Sequence, residues 1–70
     1  MSAELLAAAR DRLVAAVVAL EDARLMLERV EGVADECREV GFARAQVEYC
    51  LRQVRAGALA AKAEAREAAR

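Results

Sequence analysis

Leucine recurs every seven residues at Leu6, Leu13, Leu20 and Leu27, and Ala9, Ala16, Ala23 and Val30 stand three residues after each. These two sets are the a and d positions of a heptad, the pattern that seats one helix along another. Ser2 can cap a helix that begins at Ala3, and Glu4 in the first turn suits the positive end of its dipole. The spacing predicts a helix over residues 3–31, stopped by a turn at Gly32.

A second series follows at once. Val33, Cys37, Val40, Arg44, Val47, Leu51, Val54, Ala58, Ala61, Ala65 and Ala68 alternate spacings of four and three, and only Arg44 interrupts the apolar run. The phase predicts a second helix over residues 33–69. Gly41 is its weak point, because a mid-helix glycine costs ~1 kcal/mol relative to alanine. A kink there, or a break into a third helix, is expected, as is fraying of the Ala-rich end, 57–70. So short a turn makes the helices antiparallel neighbours, with opposing residue numbers totalling about 64. Leu6 then faces Ala58, Leu13 faces Leu51, Leu27 faces Cys37 and Val30 faces Val33. The expected fold is all-α: a single domain, residues 1–70, forming an antiparallel helical hairpin. Its core seam is Leu6, Leu13, Leu20 and Leu27 against Val47, Leu51 and Val54.

Apolar residues remain off both seams. Ala7, Val14, Val18 and Leu25 share a second face of the first helix, and Phe42 and Tyr49 lie with Ala45 and Ala56 opposite the Val47–Leu51–Val54 seam. A two-helix hairpin cannot cover both faces of both helices. Single apolar residues on a surface carry no meaning, but aligned stripes mark an interface. The competing explanation is a three-helix fold that turns one stripe back inside. The stripes make Val14, Val18, Leu25, Phe42 and Tyr49 the candidate partner-binding residues. They imply a homo-oligomer, a dimer first of all, assembled as a helical bundle, or docking on a larger protein.

Composition agrees with the pattern. Nineteen of the 70 residues are alanine, and proline, threonine, asparagine, isoleucine, tryptophan and histidine are absent. Strands favour β-branched and aromatic residues and hairpin turns favour Asn-Gly or Asp-Gly, whereas alanine, leucine, arginine and glutamate are helix formers. A chain of this size is near the limit at which one core suffices, and oligomerisation often supplies the missing burial. The net charge of −1 gives no overall attraction to nucleic acid or to an anionic membrane. The start, Met-Ser-Ala-Glu, lacks the basic stretch of a signal peptide, and the longest apolar run, Leu13 to Leu20, is far short of the ~20 residues that span a bilayer. A cytoplasmic protein with reduced thiols is expected.

Chemistry is sparsely represented. There is no histidine, no Gly-rich phosphate loop and no serine beyond Ser2, and the acidic pairs Glu21–Asp22 and Asp35–Glu36 fall where helices face solvent. The chain is therefore expected not to be an enzyme and to carry no cofactor. Cys37 and Cys50 are the only soft metal ligands, and without histidine a zinc site would need carboxylates or a second subunit. On one helix they lie ~20 Å apart, too far for a disulfide unless the chain breaks at Gly41. Packing is the primary role expected for both thiols, and a thiol or metal response the alternative. The stripe Arg44, Arg52, Arg55, Lys62, Arg66 and Arg70 offers a further alternative, a helical dimer associated with nucleic acid. Glu48 and Leu59 interrupt that stripe, and no aromatic stacking platform accompanies it.

The segment Ala34-Asp35-Glu36-Cys37-Arg38, followed by Gln46-Val47-Glu48-Tyr49 and Gln53, resembles the hairpin of the small co-chaperones of type III secretion needle subunits. The resemblance covers residues 34–56, while the Leu-heptad first helix and the Ala-rich tail fall outside it. It implies a helical protein that pairs with a tetratricopeptide-repeat chaperone to keep the needle subunit unpolymerised. The leftover apolar stripes would be where the larger chaperone docks.

Overall fold

A computed structural model describes residues 2–69; Met1 and Arg70, the last member of the basic stripe, lie outside the described residues. The described chain is two long antiparallel helices, α1 (Ala3–Leu27) and α2 (Ala34–Ala69), and nothing else. They form a rod of 60 × 15 × 13 Å.

The start of α1 follows the sequence closely. The Ser2 hydroxyl accepts a hydrogen bond from the Leu5 amide at 3.4 Å, and its carbonyl accepts one from the Leu6 amide at 3.1 Å. The first satisfies a donor that the first turn leaves without a helical partner, and the second is the first regular bond of the helix.

The end of α1 corrects the expected boundary. The helix stops at Leu27, four residues before Glu31. The Arg29 amide donates to the Met26 carbonyl and the Val30 amide to that of Leu27, so the last turn tightens to bonds spanning three residues. Gly32 then reverses the chain at φ +85°, in the left-handed region where a Cβ is strained. Val30, expected to face Val33, is therefore carried off the seam and is 54 % exposed. The connection is a tight multi-residue turn over 28–33, and α2 opens at Ala34 rather than Val33. The Val33 carbonyl accepts from the Cys37 amide at 2.9 Å, and Asp35 and Glu36 line the positive end of the new helix.

Gly41 does not break α2, which runs through it as one helix of 36 residues. Among the described residues no third helix folds a stripe back inside. At 1.5 Å per residue α2 is about 54 Å long and α1 about 37 Å, so α2 extends past the start of α1. Residues 62–69 are exposed throughout, Ala65 and Ala68 of the predicted seam among them.

Packing follows the predicted seam where the two helices overlap. Leu13, Leu20 and Leu27 of α1, Val33 at the end of the turn, and Cys37, Val40, Val47, Val54, Ala58 and Ala61 of α2 are half-buried, as are Ala16 and Ala23. Only Leu6 (9 % exposed) and Leu51 (8 %) are buried outright among the described residues. The predicted register holds. Glu21 lies opposite Arg44 and the Arg24 side chain opposite Gly41, so facing residue numbers total 65.

Candidate functional site

Three surface regions bear on function: a polar cluster near the turn, apolar grooves at the open end of the hairpin, and the exposed stripes.

The polar cluster is built from one helical repeat. Glu21, Arg24 and Glu28 stand at the three- and four-residue spacings that place side chains side by side on a helix. The Arg24 guanidinium donates to both Glu21 oxygens, at 2.6 and 3.2 Å, and also to Glu28. Arg44 of α2 completes the group, its Nη1 donating to Glu21 Oε2 at 2.6 Å while its Nε lies 3.6 Å from Glu48. That Nε is buried without a hydrogen-bond partner. The hydrogen bonds and charge of Arg24, joined by Arg44, hold the Glu21 carboxyl below its ordinary pKa of 4.5 against the opposing effect of desolvation. The same bond from Arg24 to Glu21 raises the Arg24 pKa above its usual value. The break that Arg44 makes in the apolar seam is thus the point at which the two helices are tied together by charge. Glu28 pairs within α1, with Arg24, and takes no part in the contact with α2.

Cys37 joins the cluster from below, its Sγ 3.6 Å from the Arg24 carbonyl. It is half-buried, as a seam residue should be, but Cys50 is exposed, which corrects the packing role expected for it. Both thiols are free and lie on one unbroken helix, so the geometry that could have bridged them does not arise. Among the described residues no group of three or more cysteine or carboxylate side chains is placed to hold a metal ion.

At the open end, small residues of α2 meet Leu6 and leave space on both sides. A groove of about 600 Å³ runs between Ala3, Ala7 and Val14 of α1 and Arg55, Leu59 and Lys62 of α2. A second, of about 400 Å³, lies on the other side beside Gln53, Gly57 and Ala60.

The predicted partner-binding residues are all on the surface. Val14, Val18 and Leu25 of α1 and Phe42 and Tyr49 of α2 are exposed, Phe42 by 65 % and Tyr49 by 57 %. The structure does not bring them together into one patch: Val14 opens onto the larger groove, whereas Phe42 and Tyr49 lie on the back of α2. The Arg52 guanidinium sits over the Tyr49 ring, 5.8 Å from its centroid, within cation–π range. Leu5, Met26 and Leu59 are also exposed large apolar residues that the heptad reading did not single out. Leu59 was legible as the apolar interruption of the basic stripe.

The fold and these surfaces define a two-helix hairpin module. No helix is long and apolar enough to cross a membrane among the described residues. No protein-family model, curated protein or solved structure matches the chain.

Proposed function

We propose that this protein is a non-enzymatic association module that acts through its helix surfaces, assembling with copies of itself into a helical bundle. The observation that carries the reading is unburied surface. The chain exposes 5646 Å². A compact monomer of its mass would expose about 4,300 Å², so roughly 1,300 Å² per chain is in excess. Two chains that each covered such an area would bury a total typical of obligate homodimers, about 2,000–5,000 Å². The radius of gyration, 16.6 Å, points the same way, since a compact chain of this length has about 11 Å.

The excess is apolar in character. In α1, Leu5, Val14, Val18, Leu25 and Met26 are exposed large apolar residues on more than one side of the helix, interspersed with the charged Glu4, Arg10, Asp11, Arg12 and Asp22. Large apolar side chains left uncovered on more than one side of a helix suit an assembly. Phe42 and Tyr49 on the back of α2 add a second surface, suited to a larger protein, and the resemblance to needle co-chaperones would place a chaperone on the apolar stripes, this one among them. The bundle is the primary reading because large apolar residues are exposed on both helices rather than on that back face alone.

Sedimentation across micromolar concentrations tests the proposal. The chain should sediment as more than a monomer, with a melting temperature that rises with concentration. A monodisperse monomer with a concentration-independent melt would overturn it. Replacing Val18 and Tyr49 together by aspartate should abolish association, because a partner would have to desolvate the new charges.

A further inference from the structure

Resting on that reading, we infer that the second copy stacks on the face bearing the larger groove. The two hairpins are related by a two-fold axis parallel to the helices, so that each α1 lies between its own α2 and that of its partner.

The first argument is geometric. Leu25 and the groove residues Ala7 and Val14, with Val18, lie about 120° round α1 from its seam, at 100° per residue. In a four-helix bundle each helix touches two neighbours, in directions about 90° apart in a square cross-section and about 120° apart at the wide corners of a rhombic one, and α1 would take a wide corner. The seam serves one neighbour and the stripe a second.

The second argument is register. A two-fold axis parallel to the helices leaves heights unchanged, so the partner's α2 meets α1 at the level of the chain's own α2. The facing total of 65 is inherited, within a residue. Along that line the two strips complement each other. Ala7 comes level with Leu59 and Leu25 with Gly41, small against large in both places. Val14 and Val18 come level with the aliphatic stems of Arg52 and Glu48. With the total at 66, Glu4 and Asp11, on the flank of the groove, come level with Lys62 and Arg55, acid against base; Arg10, which lines the groove, is already paired with Asp11 of its own chain.

The third argument is Gly41. Glycine inside a helix is costly, yet a Cβ here would meet only the Arg24 Cδ, at an ordinary contact distance of 3.8 Å. Nothing within the chain requires a glycine. A leucine arriving from another chain at this level does.

Within the chain the proposed partners are not engaged with each other. Asp11 pairs with its neighbour Arg10 at 3.1 Å, and Glu21–Arg44 is the ion pair that crosses between the helices among the described residues. Charge exchange can therefore separate contact between chains from contact within one. Asp11→Arg and Arg55→Asp should each weaken dimerisation by roughly tenfold or more, since symmetry places the like-charge contact twice. Mixing the two variant chains in equal amounts should restore wild-type affinity, because in the mixed dimer every Asp11–Arg55 site regains opposite charges. Circular dichroism on each variant and on the mixture reports helicity alongside. If the variants dimerise like the wild type, or the mixture stays as weak as its components, this face is not the interface. An oligomer that persists in that case and is dissolved by Phe42→Asp with Tyr49→Asp assigns association to the back of α2, overturning the inference while the proposed function stands. A wild-type chain that is monomeric throughout overturns both.

Discussion

The two ends of the hairpin are held by different physics. Toward the turn, Glu21, Arg24, Glu28 and Arg44 form a directional network in which Arg24 and Arg44 each approach Glu21 to 2.6 Å, and the side chains around it are only half-buried. Toward the open end the buried leucines Leu6 and Leu51 do the packing, small residues surround Leu6, and grooves flank it. Exposed ion pairs contribute little free energy, typically ~0–1 kcal/mol each, but they are exacting about position. Apolar burial is the reverse, strong and tolerant of small shifts. One end therefore sets the register and the other supplies the greater share of the stability.

The contrast can be broken most forcefully at Leu51. Truncation by Leu51→Ala should destabilise by ~2–4 kcal/mol, through lost burial and the cavity left behind. Val30→Ala, beside the turn, should stay within ~0.5 kcal/mol as a surface change. Urea unfolding of both variants at one protein concentration decides the matter, and equal effects would mean that the open end is not where burial stabilises the chain.

The turn end should respond to acid instead. Folding lowers the Glu21 pKa below its ordinary 4.5, so this carboxylate's contribution is complete above that value and is lost as the pH falls through the lowered one. Thermal melts should show stability falling below about pH 4.5, and Glu21→Gln should flatten that part of the profile while lowering stability at neutral pH. An unchanged acid limb in the variant would show that the network does not couple to folding.

The smallest effects sharpen the comparison at the helix glycines. A Cβ at Gly57, beside the smaller groove, meets nothing within 4 Å. Gly57→Ala should therefore stabilise by ~0.5–1 kcal/mol, the helix propensity difference. The same change at Gly41 should stabilise a dilute monomer similarly but give less, or a loss, where chains associate. Equal gains at both sites and at every concentration would remove the steric role assigned to Gly41.

Much of this architecture was legible in the heptads. The Leu6–Leu27 series, its partner series in α2 and their antiparallel register follow from period and turn length alone, and Ser2 announced its cap. The early end of α1 was not legible, because Glu28, Arg29 and Val30 are compatible with a continuing helix and only the tightened hydrogen bonds reveal the stop. Gly41 misled in the other direction: its propensity cost is real but small beside the packing on either side. Arg24 was overlooked, although the spacing Glu21, Arg24, Glu28 signals a shared guanidinium on one helix face. The surface residues were identified one by one from the wheel. Their separation into a groove-side strip and a back face required knowing which flank of α1 adjoins which flank of α2.

The turn at Gly32 also bears on how the hairpin closes. Arg24 and Gly41 are 17 positions apart in the chain, whereas Leu6 and Ala58, which line one groove, are 52 apart. Loop-closure entropy grows with the logarithm of that separation, so the open-end contact is dearer by about 1 kcal/mol if formed first. Contacts should accordingly close from the turn outward, like a zip, with the register-setting ion pairs in place before the leucines meet. Opening runs the other way. Amides near Leu6 and Ala58 would exchange with solvent through brief local separations, while those around Arg24 and Arg44 would wait for the whole hairpin to come apart.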